Sequence, residues 1–134
     1  MPKLPAFVSF AAEDARIRDL FVGQSRHPDT EWEIIDWSLH RPFDERWKTQ
    51  TRPRIVRSGV VVVLIGPGTH RAEGAIWEIN CAKAAGVPVF GVWINRTKRG
   101  RIPPGLTVNN IINWSHAGIK RRMQTAARLR RLRS

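Results

Sequence analysis

Six consecutive apolar residues, Val60-Val61-Val62-Val63-Leu64-Ile65, limit what this chain can fold into more than any other stretch. A run this short that offers no polar position to water is a strand covered on both faces, and such strands belong to parallel sheets flanked by helices. It ends in Gly66-Pro67-Gly68, where the backbone is released into a loop. From Arg71 to Gly86 the periodicity changes, and Ala72, Ala75, Ile76, Ile79 and Ala82 fall on one side of a helix at about 100° per residue. Glu78 stands at the margin of that stripe, not opposite it. Two readings follow. The carboxylate reaches the crevice at the carboxyl ends of the strands, where open α/β sheets bind ligands, or it is neutralised by Arg71 or another arginine.

The rest of the chain repeats the alternation. Ala6-Phe7-Val8-Ser9-Phe10 reads as a first strand, and Ala11 to Asp14 as a turn into a helix with Ile17, Leu20 and Phe21 on its apolar side and Gly23 as its stop. Trp32 to Asp36 is a second, less apolar strand, expected near the sheet edge. The connection from Trp37 to Arg52 carries Ser38, His40, Arg41, Pro42, Asp44, Arg46 and Trp47 without a clear period. Its length and two tryptophans suit either a binding loop with a short helical turn or a roof over the core. Pro53 is expected to open a brief helix over 54–58, ended by Gly59. Residues 87–94 and 108–114 read as the fourth and fifth strands, joined by a basic turn region, and 116–134 as a helix with Ile119, Met123 and Ala126 inward.

This pattern predicts an α/β, flavodoxin-like three-layer fold of about five parallel strands in the order 2-1-3-4-5. The first and third strands are then neighbours. The Phe10 loop, the Asp36 end and the Glu78 helix converge on one crevice, which locates function there.

Charge is uneven along the chain. Residues 1–78 hold 11 Lys/Arg against 11 Asp/Glu, while residues 79–134 hold 12 against none, so the net charge of +12 lies entirely after Glu78. An anionic partner is implied: a nucleotide, a nucleic acid or an acidic protein. The arginine-rich tail has no aromatic residue to stack on bases, which disfavours nucleic acid. A single cysteine, Cys81, precludes an internal disulfide and reads as an inert thiol among small residues. With neither a signal-peptide pattern nor a run long enough to span a bilayer, a cytoplasmic setting without membrane attachment is expected.

Other chemistries fail on their spacing. The loop at Gly66 has Arg71 where a dinucleotide fingerprint needs its third glycine, and no Gly-Lys-Ser/Thr follows any strand. His27, His40, His70 and His116 show no paired spacing, so no metal site is expected. No Gly-x-Ser-x-Gly elbow occurs.

Several pieces then look familiar together. Phe7-Val8-Ser9-Phe10 followed by Asp14, Val63-Leu64-Ile65-Gly66, Trp77-Glu78-Ile79 followed by Ala85-Gly86, and Val92-Trp93-Ile94-Asn95 resemble the TIR-like domain family that includes the Thoeris antiphage proteins of ThsB type. The resemblance implies a TIR-like domain over residues 1–115, with 116–134 as a basic helix packed on it or extending from it. It implies an enzyme of the NAD glycohydrolase or ADP-ribosyl cyclase type, cleaving the nicotinamide–ribose bond in bacterial antiphage signalling. NAD is then the substrate, and no cofactor is required. Self-assembly and a downstream effector reached through a diffusible product are the further partners it implies. Glu78 matches the family's catalytic glutamate; Phe10 and Ala11 would meet the nicotinamide end, and Asp36 and Ser38 the ribose hydroxyls. One departure stands out: many such enzymes carry a tryptophan four residues before the glutamate, where this chain has Gly74, and Trp77 stands one residue before it instead. The alternatives are a non-catalytic adaptor or nucleotide-binding domain, and a nucleoside deoxyribosyltransferase-like enzyme.

Overall fold

The computed structural model describes residues 2–38 and 46–133. The elements run β1 (Leu4–Phe10), α1 (Ala15–Gln24), β2 (Trp32–Trp37), α2 (Arg46–Val56), β3 (Val60–Ile65), α3 (Glu73–Ala84), β4 (Val89–Trp93), β5 (Ile111–Asn113) and α4 (His116–Arg133). All strand pairs are parallel, in the order β2-β1-β3-β4-β5. The flavodoxin-like winding read from the sequence is the one observed. Among the described residues no helix is long and apolar enough to cross a membrane.

Residues 60–65 form the central strand, and all six are 0% exposed. Val60, Val62 and Leu64 pack with Phe21 of α1 and with Ile119, Met123 and Ala126 of α4. Val61, Val63 and Ile65 pack with Ile55 of α2 and Ile79 and Ala82 of α3. Burying each of these six side chains is worth about 1.5–3 kcal/mol relative to leaving it in water. That is why one apolar run fixes both flanking layers.

Three expectations need correction. The helix before β3 starts at Arg46, not after Pro53, and Pro53 lies inside it. Its packed face is Trp47, Thr51 and Ile55, spaced by four: Thr51 and Ile55 are buried, and Trp47 meets Trp77 of α3 edge-on at 5.0 Å. That packing outweighs the one backbone bond that a proline cannot donate. His40, Arg41, Pro42 and Asp44 of the long connection lie outside the described residues. Second, α1 runs through Gly23 and stops at Ser25, whose hydroxyl donates to the Phe21 carbonyl at 2.9 Å. Val22 is buried, while Leu20 is 59% exposed. Third, Val108–Asn110 form a 3-10 turn instead of strand, because Thr107 and Asn110 cap it reciprocally. Only Ile111–Asn113 pair with β4.

Gly91 tests how tightly the α2/α3 layer is filled. A Cβ there would lie 2.5 Å from Ile65 Cδ1 and 3.2 Å from Ile111 Cγ1. Gly91→Ala is expected to cost about 1–3 kcal/mol through overpacking. Thermal denaturation should show a lower melting temperature, and an unchanged one would mean that the layer has slack.

Candidate functional site

The site begins with a register slip. Along β1 and β2, Ala6 pairs with Ile34 but Phe7 pairs with Asp36, so Ile35 has no partner. A one-residue slip turns every following side chain to the other face. Trp37 therefore packs with the α1/α4 core, and Ser38 projects to the α3 side. There the Ser38 amide continues the ladder, donating to the Val8 carbonyl at 2.9 Å.

Glu78, in the second turn of α3, meets Ser38 on this face. Its Oε1 accepts from Ser9 Oγ at 2.7 Å and from Ser38 Oγ at 2.5 Å. Ser38 Oγ in turn accepts the Phe10 amide at 3.2 Å. Its own proton goes to Glu78, since the Val8 carbonyl is more distant at 3.4 Å. The carboxyl is thus held by the carboxyl ends of two strands and by its own helix. It is 1% exposed and forms no ion pair among the described residues, so the alternative of a bridge to Arg71 is not what the structure holds.

Two features make this carboxyl chemically unusual. Oε2 is buried and has no hydrogen-bond partner among the described residues. Ionised, it is an acceptor without a donor; protonated, a donor without an acceptor. Burial pushes the carboxyl up to about 8, against the opposing pull of the Ser38 and Ser9 hydroxyls and with a smaller push from the charge on Asp36. Ser9→Ala and Ser38→Ala each remove a donor that favours the charged form, so each should raise the Glu78 pKa further. A carbon-13 NMR titration of the Glu78 carboxyl reads this directly, and an unmoved midpoint would exclude the two hydroxyls from its control.

The other expected site residues are placed as follows. Phe10, at the end of β1, is 2% exposed; its ring packs in the α1/α4 core beneath the Arg18 guanidinium at 5.1 Å, on the opposite sheet face from Ser9. Only its backbone approaches the Glu78 assembly, through the bond to Ser38. Ala11 is buried next to it, and its carbonyl accepts the Asp14 amide at 2.9 Å. Asp36 is clamped by Arg54 Nε at 3.2 Å and Arg57 Nη2 at 3.7 Å, a partnership the sequence reading missed. Ser9 was also missed as a site residue. Its signal was a lone hydroxyl in an otherwise apolar strand.

The glycines of the loop after β3 have a different use from phosphate binding. A Cβ on Gly66 would sit 2.5 Å from Asp14 Oδ2, and Glu13 fills the corresponding space at Gly68. Burial, and then the charge of Glu13, raise the Asp14 carboxyl above its ordinary range. Two carboxylates in this notch repel a phosphate. Trp77 does not join Glu78: it meets Trp47 edge-on, with Arg52 over its ring at 5.3 Å. Among the described residues no group of three or more His, Cys, Asp or Glu could hold a metal ion.

A comparison with protein families places residues 7–99, more than half of the chain, in the family described as Thoeris protein ThsB, TIR-like domain. A comparison with curated proteins finds no match. The matched segment runs from within β1 through β4, and so includes Ser9, Ser38 and Glu78 together. The chain therefore belongs to the Thoeris ThsB TIR-like domain family, a membership that suggests antiphage defence signalling.

Proposed function

We propose that this domain is a signalling enzyme that cleaves the nicotinamide–ribose bond of NAD, with Glu78 as the catalytic residue. The observation that carries the reading is a buried glutamate held at the carboxyl ends of β1 and β2, whose Oε2 has no partner among the described residues. Heterolysis of that bond sends its electron pair to nicotinamide, which departs neutral, and leaves positive charge on the ribosyl carbon. Because the leaving group starts as a cation, no general acid is needed. A carboxylate beside the sugar stabilises the oxocarbenium-like state, and it does so most strongly where water is excluded. Water arriving at that carbon gives ADP-ribose, whereas a nitrogen of the same molecule closes a cyclic product. Ser9 and Ser38 hold Glu78 at Oε1, and Oε2, buried and without a partner among the described residues, is the atom assigned to the sugar, which reaches it only when the surrounding side chains move.

The test follows NAD loss and nucleotide products for wild type and Glu78→Gln in cells under phage challenge, so that any required trigger is present. Equal turnover in the two would remove Glu78 from the chemistry. A second reading, nucleotide binding without cleavage, draws on the near-complete burial of the carboxyl. It predicts tight nucleotide binding with NAD untouched in cells where the protein is active. Nucleosides assayed beside NAD separate the deoxyribosyl-transfer alternative.

A further inference from the structure

β2 is an edge strand, paired within the sheet with β1 alone. The slip that leaves Ile35 unpaired has a plain competitor. Continued without it, the Ala6–Ile34 pairing would set Ile35 on Phe7, Asp36 on Val8, Trp37 on Ser9 and Ser38 on Phe10. The ladder would then be unbroken, and Trp37 would turn to the α2/α3 side. Ser38 would turn with Phe10 to the α1/α4 side, away from Glu78. Asp36 would be pressed against Val8, which is buried in the apolar α1/α4 core. Trp37 finds an apolar layer in either register, whereas a carboxylate without a partner in such a layer is costly.

In the observed register Asp36 has its partners. Its side chain is 14% exposed, and Arg54 grips both oxygens: Nε stands 3.2 Å from Oδ2, and Nη1 donates to Oδ1 at 3.3 Å. Arg57 Nη2 is farther from Oδ2, at 3.7 Å. Oδ1 also accepts the Trp37 amide at 2.9 Å, which ties the clamp to the backbone just before Ser38. A two-point contact of this kind fixes orientation as well as distance. A largely buried ion pair adds little net stability, and its best-attested use is to select a register. We propose that Arg54 is a positioning residue for Glu78: its grip on Asp36 holds β2 in the slipped register that delivers Ser38 to the carboxyl. The consequence for NAD cleavage rests on the reading of Glu78 as the catalytic residue, while the register lock does not.

The test replaces the pair by apolar residues, Asp36→Val with Arg54→Met, a change that leaves no bare charge and ordinarily preserves stability. With the lock gone, the Ser38 amide should lose its bond to the Val8 carbonyl and exchange its hydrogen at least about tenfold faster. The Glu78 titration, followed by carbon-13 NMR without NAD, supplies a sign. Losing the Ser38 bond raises the midpoint, losing the Asp36 charge lowers it, and the Ser38 bond is the larger influence. A released register therefore moves the midpoint above the wild-type value of about 8, and a retained one moves it below. Arg54→Lys, which keeps a cation and a donor, should keep wild-type exchange and midpoint. If the double variant fails to fold, Asp36→Val alone decides by the same readouts, since Arg54 is 32% exposed and can turn to water. Wild-type exchange at Ser38 together with a lowered midpoint overturns the proposal. NAD loss in cells under phage challenge should fall at least about tenfold in the variant, the effect of losing a hydrogen bond to a charged group. Unchanged turnover beside a released register would count against Glu78 as the catalytic residue and leave the lock standing.

Discussion

Glu78→Gln should reduce NAD turnover by about 100- to 1,000-fold, the usual effect of removing one preorganised electrostatic partner from a transition state. Glutamine keeps the shape and can still accept from Ser9 and Ser38, so loss of activity with the fold intact would isolate the charge. The pH dependence sharpens this prediction. In the free protein the Glu78 carboxyl is pushed up to about 8, so at neutral pH most molecules carry it neutral. If the carboxylate is the working form, kcat/KM rises with pH and levels off above about pH 8. Bound NAD brings a cationic nicotinamide ring, which favours the ionised carboxyl, so the midpoint in kcat should fall below the midpoint in kcat/KM. The variant should show neither midpoint. A wild-type rate that falls as pH rises toward 8 would require the protonated acid, and the stabilising role assigned to the carboxylate would be lost.

Much of this site was legible because it rests on periodicity. The run at 60–65 announces a strand buried on both faces, and the marginal position of Glu78 follows from the 3.6-residue period of α3. What periodicity cannot carry is register. Nothing in Trp32-Glu33-Ile34-Ile35-Asp36-Trp37 marks Ile35 as the residue left out of the pairing, yet that slip turns Ser38 toward Glu78 and Asp36 toward Arg54. The partners of Asp36 lie 18 and 21 positions downstream, one inside and one just after a helix whose interior contains Pro53, a residue that argued for a later start. Ser9 was hidden for a related reason. In a strand covered on both faces a hydroxyl is noticeable only when its partner is known, and that partner is 69 residues away.

The same carboxyl should make the domain less stable as pH rises. Glu78 goes from an ordinary 4.5 to about 8 on folding, so between those values the folded chain keeps a proton that the unfolded chain has released. The resulting stabilisation is complete below about pH 4.5, declines through the interval, and is gone above about pH 8. The slope approaches 1.4 kcal/mol per pH unit, which makes the whole effect on the order of a few kcal/mol. Asp14, raised by burial, adds a contribution of the same sign that starts at lower pH. Glu78→Gln removes only the first of these. Urea denaturation at pH 5 and pH 8.5 should therefore show the variant gaining on wild type by a few kcal/mol across the interval, with the contribution of Asp14 common to both proteins. Parallel stability profiles would mean that Glu78 ionises as readily in the fold as outside it, through water or a cation at Oε2. A ligand that presents positive charge to Oε2 should reverse the trend, stabilising wild type more at pH 8.5 than at pH 5, because its preferred partner is the ionised carboxyl that the empty fold resists.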